Sequence, residues 1–170
     1  MPNTTRYDSK IDTTTVNTSA AETEIAELVM PAGALWKAKA GARFYANGDI
    51  LNNSGVAATV IFKFKLGSTT VLTSPATSWA ASATRRQWRA QVDIVSVAAD
   101  SQRISGELKV SDADADTWAD DSTDGRFYIG KGTAAVDDGA SIDVTLLATL
   151  GASHASLEIT CTQATLELLR

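Results

Sequence analysis

Six aspartates, Asp112, Asp114, Asp116, Asp120, Asp121 and Asp124, crowd into thirteen residues, and they are the first side chains in this sequence that could do chemistry. Alternating carboxylates open a calcium-binding loop of the EF-hand type, but that loop also needs a turn glycine and a bidentate glutamate. Thr117 and Thr123 occupy those two positions, so an EF-hand is excluded and the segment reads as a solvated acidic loop, with a looser calcium site as the lesser alternative. Paired carboxylates for glycoside hydrolysis require a desolvated cleft that raises one pKa, and a polar acidic loop offers none. His154 is the only histidine and Cys161 the only cysteine. A nucleophile–base pair could use only a histidine set in the small-residue turn Gly-Ala-Ser-His-Ala-Ser, with nothing local to orient it. One His and one Cys cannot supply a zinc site's usual set of three or four N/S ligands. Cys161 lies in an alternating apolar segment, which predicts a buried, inert thiol. The run Gly125-Arg-Phe-Tyr-Ile-Gly130-Lys131-Gly132 approaches a phosphate-binding loop, yet Gly132 replaces the required Ser or Thr and no helix follows, so a strand between turns is expected. No enzyme, cofactor or metal is expected.

Binding chemistry is better represented. Trp88 alternates with a core set and is expected inside, whereas Trp79 and Trp118 sit in polar and acidic segments and are expected as aromatic anchors at a subunit interface or as a sugar-stacking surface. Arg85 and Arg86 form a positive strip in a negative protein; pairing it with a neighbour's 112–124 loop would join identical subunits head to tail.

These side chains must be positioned by strands. Val60, Phe62, Phe64 and Leu66 share one face of a run whose other face carries Lys63 and Lys65. Trp88, Ala90, Val92 and Ile94 alternate with Arg89, Gln91 and Asp93, and Ile104, Gly106, Leu108 and Val110 alternate with Ser105, Glu107 and Lys109. Near the end, Leu157, Ile159 and Cys161 alternate in one phase and Ala164, Leu166 and Leu168 in the other, which predicts a bulge near Gln163. Turn residues separate the runs at Asn52-Asn53-Ser54-Gly55, Gly67-Ser68, Asp124-Gly125 and Asp137-Asp138-Gly139. The expectation is an all-β, antiparallel, jelly-roll-like sandwich of about eight strands with long connections at 75–84 and 112–125, an immunoglobulin-like sandwich being the second choice.

Residues 1–23 contain nine Thr or Ser and show no sustained period. They predict an extended N-terminal arm outside a 24–170 domain, able to reach about 75 Å at ~3.3 Å per residue, with Tyr7, Ile11 and Val16 as its contacts to another chain. With 170 residues, 44% of them apolar and 21% charged, the chain can bury one core. A net charge of -5 argues against a nucleic-acid partner, and no apolar run suggests a membrane span or signal peptide, so synthesis in the cytoplasm is expected.

The segments Gly48-Asp-Ile-Leu-Asn-Asn-Ser-Gly55 and Thr59-Val-Ile-Phe-Lys-Phe-Lys-Leu-Gly67-Ser-Thr-Thr-Val-Leu72, with Ala83-Thr-Arg-Arg-Gln-Trp-Arg-Ala90 and Ile159-Thr-Cys-Thr-Gln-Ala-Thr-Leu-Glu-Leu-Leu169, resemble the β-sandwich virion proteins of tailed bacteriophages over about residues 25–169. Modules of this kind occur in capsid decoration (cement) proteins and in tail-fibre or head-fibre proteins. The resemblance implies a homotrimer and transfers no individual functional residue. With no heptads or internal repeats to build a shaft, the expected role is decoration of the capsid exterior, with the major capsid protein as partner. A tail-fibre or receptor-binding module recognising a host glycan is the alternative, and a cellular carbohydrate-binding domain comes third.

Overall fold

A computed structural model of the chain describes residues 4–10, 14–17, 19–35, 39–98, 100–111 and 125–169. They form β1 (Thr4–Lys10), β2 (Thr14–Asn17), β3 (Thr23–Met30), β4 (Gly41–Asn52), β5 (Ala58–Leu66), β6 (Thr69–Thr73), β7 (Thr77–Trp79), β8 (Ser82–Ala98), β9 (Ser101–Val110), β10 (Arg126–Ala134), β11 (Ile142–Leu150) and β12 (Leu157–Leu169). A seven-stranded sheet runs β1-β12-β4-β8-β9-β10, with β2 also on β12, and a five-stranded sheet runs β3-β11-β5-β6, with β7 on β5. All of these pairings are antiparallel. The pairs β4–β12 and β5–β11 nest one inside the other, the wrapping of a jelly roll, while β8 joins β4 directly.

Alternation dictates which side chains meet between the sheets. On β5, Val60, Phe62, Phe64 and Leu66 are buried while the intervening residues are partly exposed. Trp88, Ala90, Val92 and Ile94 of β8 and Phe44 of β4 face them from the larger sheet. Phe44 meets Phe64 with ring centroids 5.3 Å apart, and Phe62 meets Trp88 at 5.2 Å, both tilted as aromatic quadrupoles prefer. The bulge expected near Gln163 is present: the β12–β4 register slips between Cys161 and Gln163. This is why the apolar phase of β12 inverts there.

Twelve strands, not about eight, are found among the described residues. The additional ones are short or polar. The expected connection at 75–84 holds β7 and the start of β8. The arm, expected to extend onto another chain, is held by the domain's own sheet. β1 pairs with β12 from Thr4↔Leu169 to Lys10↔Ala164, and β2 pairs with it from Thr14↔Cys161 to Asn17↔Glu158. Both pack against β3, where the Val29 N–H donates to Asp8 Oδ2 at 3.4 Å. Backbone ladder bonds order this Thr-rich segment without any side-chain period, and the expected boundary at 23/24 therefore falls between strands of one sandwich.

Candidate functional site

The edge where β6 of one sheet approaches β10 of the other carries the features most suited to binding. Among the described strands, β10 ends the seven-stranded sheet and pairs only with β9. Its inward positions are Tyr128, Gly130 and Gly132, and the glycines are there because β6 comes close. A Cβ on Gly132 would lie 2.5 Å from the Val71 carbonyl oxygen, and one on Gly106 of β9 would lie 2.5 Å from Leu72 Cδ1. The glycine spacing that suggested a phosphate loop is thus a strand packing device, in line with the strand expected there.

A slot of about 450 Å³ opens between the sheets at this edge, its walls formed by Phe62, Phe64, Leu72, Val92, Leu108 and Leu146 and its rim by Ser74, Pro75 and β10 from Phe127 to Gly130. The Tyr128 hydroxyl hydrogen-bonds Thr77 Oγ1 there and ties β10 to β7. Outward from the rim, Phe127 is 50% and Ile129 77% exposed, and the Lys109 ammonium rests 4.8 Å from the centre of the Phe127 ring. Large apolar side chains this exposed, beside an open strand edge, are features that binding surfaces use.

The residues singled out in the sequence lie elsewhere, and several must be corrected. Trp79 is only 4% exposed, its ring flanked by the guanidinium carbons of Arg86 at 5.3 Å and Arg126 at 5.7 Å. It is an internal anchor, not a surface one, because two long cationic side chains, Arg86 from the start of β8 and Arg126 from β10, cover it. Arg86 is buried and donates to the Ala80 carbonyl at 3.4 Å. Arg85 forms ion pairs with Asp49 and, at 3.2 Å, with Glu158. Burial pulls the Arg85 guanidinium down, but its hydrogen bonds and charge interactions with Asp49 and Glu158 outweigh that and raise its pKa. The two arginines are therefore engaged within the domain and do not form an open strip for a neighbour. Val16, proposed as an arm contact, is buried in the domain's own core. Tyr7 falls on β1, at the register slip between Arg6 and Asp8. Ile11 and Trp118, with the rest of the 112–124 loop, lie outside the described residues. Sequence reasoning missed Phe127 and Ile129, although their alternation with Tyr128 and Gly130 was visible.

Groups able to hold an ion or react are few among the described residues. Asp100, Asp137 and Asp138 bring carboxylate oxygens within 4.8 Å of one another. Asp137 Oδ1 already accepts the Gly139 N–H at 2.8 Å, so this is Asx-turn chemistry on a largely exposed loop. The exposed His154 accepts the Ser156 N–H through Nδ1 at 3.1 Å, a turn contact. Burial pushes the Cys161 thiol up to about 11 from an ordinary value near 9. Because the folded thiol holds its proton where the unfolded one has lost it, its contribution to stability is fully present below pH 9 and is lost as pH rises toward 11. A thiol reagent at pH 8 should label Cys161 only as fast as the protein opens; rapid stoichiometric labelling of the native protein would contradict its burial.

No family model matches the chain, and no curated protein matches it. Among solved structures, it is similar to the CBM2 module of the evolved Dit of Lactobacillus casei BL23 phage J-1, with 11% identity over 84% of this chain and 68% of that one and a TM-score of 0.38. It is also similar to lectin I of Ulex europaeus, with 10% identity over 99% of this chain and 92% of the lectin and a TM-score of 0.36. A third similarity is to a structure of infectious bursal disease virus Gx strain, with 11% identity, 99% of this chain, 42% of that chain and a TM-score of 0.35. With TM-scores below 0.5, none of these similarities carries a functional argument.

Proposed function

We propose that this protein is a non-enzymatic structural component of a phage virion, a decoration (cement) protein that binds as a homotrimer to the capsid exterior, across subunits of the major capsid protein. One observation carries this reading: the apolar pair Phe127 and Ile129 stands exposed on an open strand edge, beside an apolar slot deep enough to receive a partner's side chain. A β-strand edge offers unpaired backbone groups and flanking apolar anchors together, the combination used when a chain segment of one protein docks along the sheet of another. Stabilisation of the shell then follows by mass action, because dissociated subunits lack the composite site. The resemblance of the strand and turn segments to phage virion proteins supports the setting. The receptor-binding alternative loses one of its two expected platforms with Trp79, which is buried.

The test is binding of purified protein to heads that lack it, imaged by electron microscopy and quantified by co-sedimentation. Phe127→Ser with Ile129→Ser should weaken head binding by about tenfold or more, since each removes an exposed apolar anchor. Their exposure predicts an unchanged thermal midpoint. Undiminished binding by the double variant would refute docking through this edge, and label on tails or host cells in place of heads would refute decoration.

A further inference from the structure

We propose that the outer face of the seven-stranded sheet holds a separate binding groove for an anionic sugar residue, a pyranose bearing a carboxylate or phosphate, built from Tyr45, Asn47, Gln87, Arg89 and Lys109. These side chains line a groove of about 350 Å³, within the ~300–1,000 Å³ typical of small-molecule sites. Strand register assembles it. Asn47 of β4 lies opposite Arg89 of β8, and Arg89 lies opposite Lys109 of β9, so one row across three strands carries an amide and two cations. Tyr45 and Gln87 flank Asn47 and Arg89 at alternate positions of the same strands and so share their face.

The charge arrangement is what requires explanation. Like charges directly opposite on neighbouring strands destabilise a sheet. Elsewhere on this chain cations face acids: Arg43 meets Asp93 at 2.6 Å, Arg85 meets Asp49 and Glu158, and Lys63 meets Glu22. Arg89 and Lys109 instead face each other, and neither has an ion-pair partner among the described residues, the Lys109 ammonium resting on the Phe127 ring of β10. Glu107, two positions along β9, lies opposite Gln91 and pairs with neither. An anion seated on Arg89 would convert this repulsion into two charge-assisted contacts once the flexible Lys109 side chain swings to it from the Phe127 ring, with the planar Arg89 guanidinium matched to the paired oxygens of a carboxylate or phosphate.

The remaining residues select a sugar over a bare anion. Tyr45 is half-buried and offers part of its ring to the groove, and the side chains of Tyr45, Asn47 and Gln87 make no hydrogen bond to another described residue. A ring face for sugar C–H groups, with carboxamides that can donate and accept toward hydroxyls, is saccharide chemistry. Nucleic acid is disfavoured by the net charge of -5 and by a groove with only two cations.

The experiment titrates the full chain, by calorimetry and amide chemical-shift mapping at low and moderate salt, with a uronate disaccharide, a hexose phosphate, their neutral counterpart, inorganic phosphate and an acidic peptide. Saturable binding of the uronate or the hexose phosphate is expected, with shifts at 45–47, 87–89 and 109 and affinity at least about tenfold above the neutral sugar and inorganic phosphate. The stronger of the two acidic sugars identifies the anion. Arg89→Gln, Lys109→Gln and Tyr45→Ala should each weaken it about tenfold. Arg89→Gln should also leave the thermal midpoint unchanged or raised, since it relieves the facing charges. Inorganic phosphate or the acidic peptide binding as well as the sugars would overturn the proposal, as would no saturation by about 10 mM ligand. Failure of the Phe127 and Ile129 variants on phage heads would leave this result untouched, so the two readings fail separately.

Discussion

Replacing Trp88 with alanine should lower the unfolding free energy by about 3–5 kcal/mol, a large share of the roughly 5–15 kcal/mol that holds a domain of this size together. Three effects converge at this side chain. Its volume fills the space between the sheets at 2% exposure, where a cavity cannot collapse without moving both layers. Its ring packs on Phe62. Its indole N–H donates to the Thr160 carbonyl at 3.0 Å, at the end of the stretch where β12 bulges. Gly48, opposite Trp88 on β4, permits that approach, because a Cβ there would come within 1.8 Å of the same carbonyl oxygen. Trp88→Phe separates the contributions. It keeps an aromatic ring against Phe62 but removes the donor, and should lower stability by about 1–3 kcal/mol. Urea unfolding followed by far-ultraviolet dichroism reads both variants. A drop below about 1 kcal/mol for Trp88→Ala would mean that the indole does not span the sheets as the structure places it.

Trp88 and Trp79 show where a sequence speaks for its fold and where it does not. Trp88 sits in phase with Ala90, Val92 and Ile94, so local alternation alone assigns it to the core. Trp79 has polar neighbours, and its burial comes from Arg86 and Arg126, the second of them in a segment that joins it only through the folded topology. Arg85 behaves in the same way: its acidic partners lie 36 and 73 residues away, so no local pattern announces them. Period-2 burial is a property of one strand and is written in that strand. Ion pairs, cation–π contacts and grooves belong to the register between strands, which depends on pairing order. The bulge at Cys161–Gln163 was legible because a register slip must invert the apolar phase of its own strand. The facing cations Arg89 and Lys109 were not, because only the β8–β9 register sets one against the other.

Residues 1–17 are the sharpest case, and their removal should destabilise the domain by at least about 3 kcal/mol, summed over lost ladder bonds and the exposure of apolar surface beneath Val16. A free arm would be dispensable for folding. Here β1 and β2 cover the open side of β12 along its length, Val16 enters the core, and Thr15 Oγ1 lies 3.5 Å from Thr160 Oγ1. Without them β12 becomes a long edge strand with alternate apolar residues, and such edges pair with other chains. The truncated protein should therefore melt earlier and self-associate in sedimentation. Loss of head binding after truncation then has two possible causes, a missing contact or a damaged fold. Val16→Ala in the full chain tells them apart: it should cost about 1–3 kcal/mol through the lost core packing while leaving every outward-facing side chain in place. Binding that survives Val16→Ala but fails on truncation at a temperature where both stay folded assigns a direct contact to the N-terminal segment. Unchanged melting of the truncated protein would show instead that β1 and β2 are not integral to the sandwich.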